Sequence, residues 1–190
     1  MSVHVLGLAR RFARVLVWIS GSLMIGASFL VTGDVLARRL FNVSLGGADE
    51  ITGYCFAVGT TLSLAYALFE RAHIRIDAVY GLMPRRAQVV ADIVGLVLLT
   101  GFTGLIAWMA SGLVYDTLVN GSRSITPLTV PLAIPQIPWL AGWIFAFLAG
   151  VLVLALALVR MVRSGTTGAS DLVGVRSTRE TIEDELELAP

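Results

Sequence analysis

Four runs without a single Asp, Glu, Arg, Lys or His constrain this chain more than anything else in it: Val15–Gly33, Ile51–Phe69, Ile93–Tyr115 and Trp139–Val159. They are 19, 19, 23 and 21 residues long. As helices rising 1.5 Å per residue they cover about 28–35 Å, and the hydrocarbon core of a bilayer is about 30 Å thick. All 27 charged residues fall in the other 108 positions, an ordinary soluble density. The low overall charge of 14% is therefore an average of two unlike parts. A soluble core has no use for four such runs in 190 residues. Membrane strands would alternate over about ten residues, and these runs are apolar on every face. The expected fold is an all-α membrane protein of four transmembrane helices. One membrane domain over 15–163 follows an amino-terminal segment 1–14.

The first run is read as a span and not a cleaved leader. Arg10, Arg11 and Arg14 resemble a basic leader, but the run exceeds the usual 7–15 residues and ends at Asp34 without a clear cleavage site. Lysine is absent, so arginine alone sets the orientation. Nine arginines flank the amino-terminal segment, the second connection and the end of the fourth run (10, 11, 14, 71, 75, 85, 86, 160 and 163). Only Arg38, Arg39 and Arg123 lie on the other side. The positive-inside rule then puts both termini in the cytoplasm and segments 34–50 and 116–138 outside, the periplasm of a bacterium. Tyr115, Trp139 and Trp143 fall near the expected outer interface, where amphipathic rings prefer to sit. From Ser164 the chain turns acidic, with two arginines against six acids, and disorder is expected there.

The uncharged runs also exclude functions. Pathways for ions, protons or charged substrates are marked by ionisable residues inside the membrane, and these runs hold none. Haem would need intramembrane histidines, but His4 and His73 lie outside the runs. Cys55 is the only cysteine, so no intramolecular disulfide exists. No cofactor, no catalytic residue and no nucleic-acid partner is expected. The chain reads as an accessory subunit that holds another protein. Small residues support close helix approach in lipid. Stripes at four-residue spacing run through Gly53, Ala57, Thr61 and Ala65, and through Gly142, Ala146 and Gly150. Ser22 with Gly26, and Gly101, Gly104 and Gly112, add shorter ones. Each serves either packing within a four-helix bundle or an interface with a partner.

The connections carry the charged candidates. Asp34 and Arg38 are spaced for an ion pair on one helix face. Asp49 and Glu50 stand where a helix amino terminus favours acids. Glu70, His73 and Asp77 would share a face if the helix continued. They could hold a metal in principle, but no further ligand is near, and a charged helix end or a subunit contact is the preferred reading. Arg71 and Arg75 can reach lipid phosphates. Pro127, Pro131, Pro135 and Pro138 exclude a regular helix from the last connection, which is nonetheless apolar and must rest on protein or at the interface, and Pro138 can occupy the first turn of the fourth helix.

In order and spacing, these segments resemble the small permease subunit of tripartite ATP-independent periplasmic (TRAP) transporters, over roughly residues 12–163. The matching residues are Asp34, Arg38, Phe41 and Asn42; then Asp49, Glu50, Tyr54, Ala65 and Leu68, closing on His73-Ile74-Arg75-Ile76-Asp77; then Thr126-Pro127-Leu128 with Ile134-Pro135. The resemblance implies a bacterial inner-membrane complex. In it a periplasmic binding protein delivers an organic acid, and a large permease subunit moves it by sodium symport. The small subunit scaffolds the large one and helps form the docking surface. The candidates for subunit-interface or structural roles are Arg38, Asp49, Glu50, Tyr54, Glu70, His73, Arg75, Asp77, Pro127 and Pro135. The acidic tail has no counterpart in the family, and the substrate stays open.

Overall fold

The computed structural model describes residues 2–44, 46–70 and 84–173, with side chains described from 6 to 161 within those segments except at 85 and 86. The described residues form four helices: α1 (Ser2–Phe41), α2 (Ala48–Phe69), α3 (Arg85–Asn120) and α4 (Ala133–Val173). Each contains a stretch long and apolar enough to cross a membrane. At 22 residues α2 is about 33 Å long and matches the bilayer core, whereas α1, with 40, reaches about 60 Å.

Local chemistry explains where the helices stop. α1 ends at Asn42, which takes the left-handed conformation (φ 56°) that asparagine tolerates at a helix end. Gly46 and Gly47 follow with φ of 58° and 157°, and Asp49 and Glu50 then occupy the first turn of α2. Extended Pro84 precedes α3 and supplies a carbonyl to the Ala87 amide at 2.8 Å. Gly121 closes α3 in the left-handed region (φ 58°), with the Ser122 amide returning to the Thr117 carbonyl.

Two expectations change. The prolines keep helix out only as far as Leu132. α4 begins at Ala133 and takes in both Pro135 and Pro138. Pro135 falls in the first turn, where amides lack intrahelical partners anyway. At the other end α4 continues to Val173, so the start of the segment expected to be disordered is helical. The acidic residues from Glu180 onward lie outside the described residues.

The helices do not close into a bundle. α2 and α4 lie side by side at the centre, α1 packs on the free flank of α2, and α3 packs on the free flank of α4. α1 meets α4 only lightly, through contacts such as the edge-to-face pair Phe12–Phe145 (5.1 Å), and α3 makes no more than marginal contact with α1 or α2. The result is one layer of helices in the order α1–α2–α4–α3. Such a layer has two broad faces that the described residues do not cover, which accounts for the exposure of Trp18, Phe29, Leu98 and Trp108.

The flank helices each bury one narrow seam. In α1 it is Ala13, Ser20, Ala27 and Asp34, at seven-residue spacing. In α3 it is Val89, Asp92, Leu96, Thr100, Thr103, Ala107, Ala110, Val114 and Thr117, alternating in steps of three and four. Seven-residue periodicity is the signature of helices that wind gently around one another, the packing common in membrane bundles.

Candidate functional site

Polar chemistry concentrates at the end of the layer away from the termini. The connection between α3 and α4 folds back on itself: Arg123 bridges Pro131, the Ser124 amide donates to the Val130 carbonyl (2.9 Å), and the Leu132 amide donates to the Ser122 carbonyl (3.0 Å). Arg123 Nη1 also donates to the Thr129 carbonyl at 3.2 Å. Leu128 of this loop covers Gly47 so closely that a Cβ there would collide with its side chain, and the positive φ of Gly47 strains other residues as well.

Glu50 locks the loop to α2. One carboxylate oxygen accepts the Tyr54 hydroxyl at 2.6 Å, one turn along the same helix. The other accepts from Thr126 Oγ1, whose own oxygen lies 2.6 Å from Ser124 Oγ. Ser124 Oγ in turn accepts the Thr126 amide (3.1 Å). One carboxylate thus joins two parts of the chain 76 positions apart. Charge-assisted hydrogen bonds of this kind are stronger than neutral ones and fix geometry. Asp34 forms a second cluster nearby in sequence order. It is buried, accepts from Arg38 one turn on, and accepts Ser44 Oγ at 3.3 Å.

Toward the termini, Arg10 Nη2 donates to the Phe69 carbonyl at 3.0 Å, placing a cation on the carboxyl-terminal end of α2. Midway along the same pair of helices, Ser20 Oγ donates to the Gly59 carbonyl. The Glu70 amide closes α2 onto Tyr66 (2.9 Å).

The residues singled out from sequence are distributed as follows. Glu50 and Tyr54 come together with Ser124 and Thr126, neither of which the charge pattern had picked out as a ligand to Glu50. Asp49 is exposed beside them, as is Pro127. Arg38 joins Asp34, and half-buried Pro135 sits in the first turn of α4. His73, Arg75 and Asp77 lie outside the described residues, so the Glu70–His73–Asp77 grouping is not described. Among the small residues, Gly142 faces Thr61, and a Cβ there would stand 2.5 Å from the threonine oxygen. Gly150 faces Thr100 and Gly104 faces Phe147 in the same way. Ala146 is buried and Ala57 half-buried. Gly53, Gly26, Gly101 and Gly112 face outward, and a Cβ at any of them would meet nothing within 4 Å.

Sequence reasoning passed over one buried carboxylate. Asp92 stands one position before the third uncharged run and lies inside the α3 seam, 4% exposed and engaged in a polar interaction. Its phase relative to Val89 and Leu96 is the signal that marks it. Among the described residues, no three His, Cys, Asp or Glu side chains gather as a metal site. The hydrogen bonds of Glu50, Asp34, Arg10 and Ser20 each join separate parts of the chain and hold elements in place.

A single layer of membrane-spanning helices, fastened at its ends by internal clasps, defines a multi-span membrane subunit built to pack. The family described as "Tripartite ATP-independent periplasmic transporters, DctQ component" matches residues 27–164, from the middle of α1 well into α4. The chain belongs to this family, which provides the small permease component of TRAP transporters. Among curated proteins, none matches it.

Proposed function

We propose that this chain is the non-catalytic scaffold of a TRAP transporter in a bacterial inner membrane. One face of its helical layer supports the large permease subunit. The end carrying Glu50 and the α3–α4 loop faces the periplasm, where a substrate-loaded binding protein approaches, and both termini are cytoplasmic. The large subunit carries the organic acid and the sodium ions that drive its uptake.

The observation that best supports this reading is the open single layer. A transporter that works alone needs an enclosed pathway lined by polar groups. A layer of helices instead offers two broad faces for a larger neighbour. The connections at its two ends hold the interface candidates Arg38, Asp49, Glu50, Tyr54, Glu70, His73, Arg75, Asp77, Pro127 and Pro135.

Co-expression tests the assignment. The chain, tagged and purified from membranes, should carry with it the large permease subunit encoded alongside. Replacing Glu50 or the His73–Asp77 segment should reduce that recovery. Full recovery with both sites replaced would remove them from the interface. Failure of the unaltered chain to retain any large permease would remove the scaffold role.

A further inference from the structure

α1 carries a groove that the clasps and seams leave unused. It has a volume of 660 Å³, is open to the side, and is lined among others by Val15, Trp18, Ser22, Gly26 and Leu30 of α1 and by Cys55 of α2. The small side chains of Ser22 and Gly26 create the hollow, and among the described residues no atom beyond those of the glycine's own stretch of helix lies within 4 Å of where a Gly26 Cβ would stand. The lining is apolar except for the Ser22 hydroxyl, the Cys55 thiol and the Trp18 indole N–H. Between Val15 and Leu30 of this lining the helix rises about 22 Å, within a core about 30 Å thick.

The groove ends in positive charge. Arg11 lies one turn before Val15 and Arg14 one turn before Trp18, so both continue the groove's face toward the amino terminus of α1. Both are exposed, and α1 has no acidic residue before Asp34. An apolar channel of this length that ends at two guanidinium groups matches one ligand chemistry, an alkyl chain ending in a phosphate. Guanidinium binds phosphate through paired N–H donors. Trp18, 74% exposed just inside the arginines, suits the glycerol and carbonyl level that indoles favour.

We propose that this groove binds one acyl chain of an anionic phospholipid, with the lipid phosphate held by Arg11 and Arg14. The lipid fills a hollow in the layer's surface and ties α1 to the leaflet at its amino-terminal end.

Native mass spectrometry of the full chain in detergent tests this, using phosphatidylglycerol and phosphatidylcholine of identical acyl chains as probes. One phosphatidylglycerol should stay bound under conditions that strip phosphatidylcholine. In Arg11→Gln/Arg14→Gln its binding should weaken roughly tenfold or more, to the phosphatidylcholine level. Gly26→Leu, which fills the groove without touching this chain's own packing, should weaken both lipids. Arg160→Gln should change neither. Equal retention of the two lipids by the unaltered chain would overturn the proposal, as would unchanged retention in the double arginine variant or in Gly26→Leu. A third contrary result is loss of the lipid, with Cys55 shielded from a maleimide, whenever the large subunit is bound, because the occupant would then be a helix of that subunit. Co-purification with the large subunit reads the scaffold role separately.

Discussion

At the scale of single residues, Glu50 carries the most structural consequence. Its two oxygens accept from Tyr54 and Thr126 and so fasten the α3–α4 loop to the start of α2. Glu50→Ala would leave both hydroxyls without that acceptor, whereas Glu50→Gln keeps one acceptor oxygen and loses the charge. Amide exchange at Ser124 and Leu132 should therefore speed up strongly in the alanine variant and less in the glutamine variant. Exchange in the middle of α3 should stay unchanged. Equal loop protection in Glu50→Ala and the unaltered chain would show that the loop holds itself. Exposed Asp49 serves as the neighbouring control, and Asp49→Ala should leave loop exchange as it is. The acidic pair was legible in the sequence as a helix start, but Thr126 as a ligand to Glu50 was not. That contact spans 76 positions and depends on a loop conformation set by many weak preferences.

At the scale of helices, the small-residue stripes show what spacing reveals and what it hides. A four-residue step turns about 40° beyond one full helical turn, so a long stripe winds around its helix. In α2 the stripe begins exposed at Gly53, is half-buried at Ala57, and is buried at Thr61 and Ala65. Gly142, Ala146 and Gly150 stay buried because α4 has a helix on either flank. The seam of α1 follows seven-residue spacing instead, through Ala13, Ser20, Ala27 and Asp34, while Ser22 and Gly26 face outward. The phase of the seam is fixed by the partner helix, and an apolar run gives no hint of it. Gly142→Leu should lower unfolding stability in detergent by about 1–3 kcal/mol, the usual cost of overfilling a packed site. Gly53→Leu and Gly101→Leu should stay within about 0.5 kcal/mol of the parent, as surface changes do. Equal losses at all three would contradict the packing described.

At the scale of the molecule, the four long apolar helices were legible because hydrophobic length is dictated by the bilayer. The arrangement in one layer was not. Spans that are apolar on all sides do not declare which face meets protein and which meets lipid. The layer order α1–α2–α4–α3 leaves both broad faces uncovered by the described residues, and that openness fits the supporting role proposed above. The sharpest test of that role is uptake by proteoliposomes carrying an inward sodium gradient and supplied with the loaded binding protein. Vesicles holding the large permease and this chain together should accumulate the binding protein's ligand. Vesicles holding this chain alone should show no uptake above protein-free vesicles. Sodium-driven uptake by this chain alone would contradict the account.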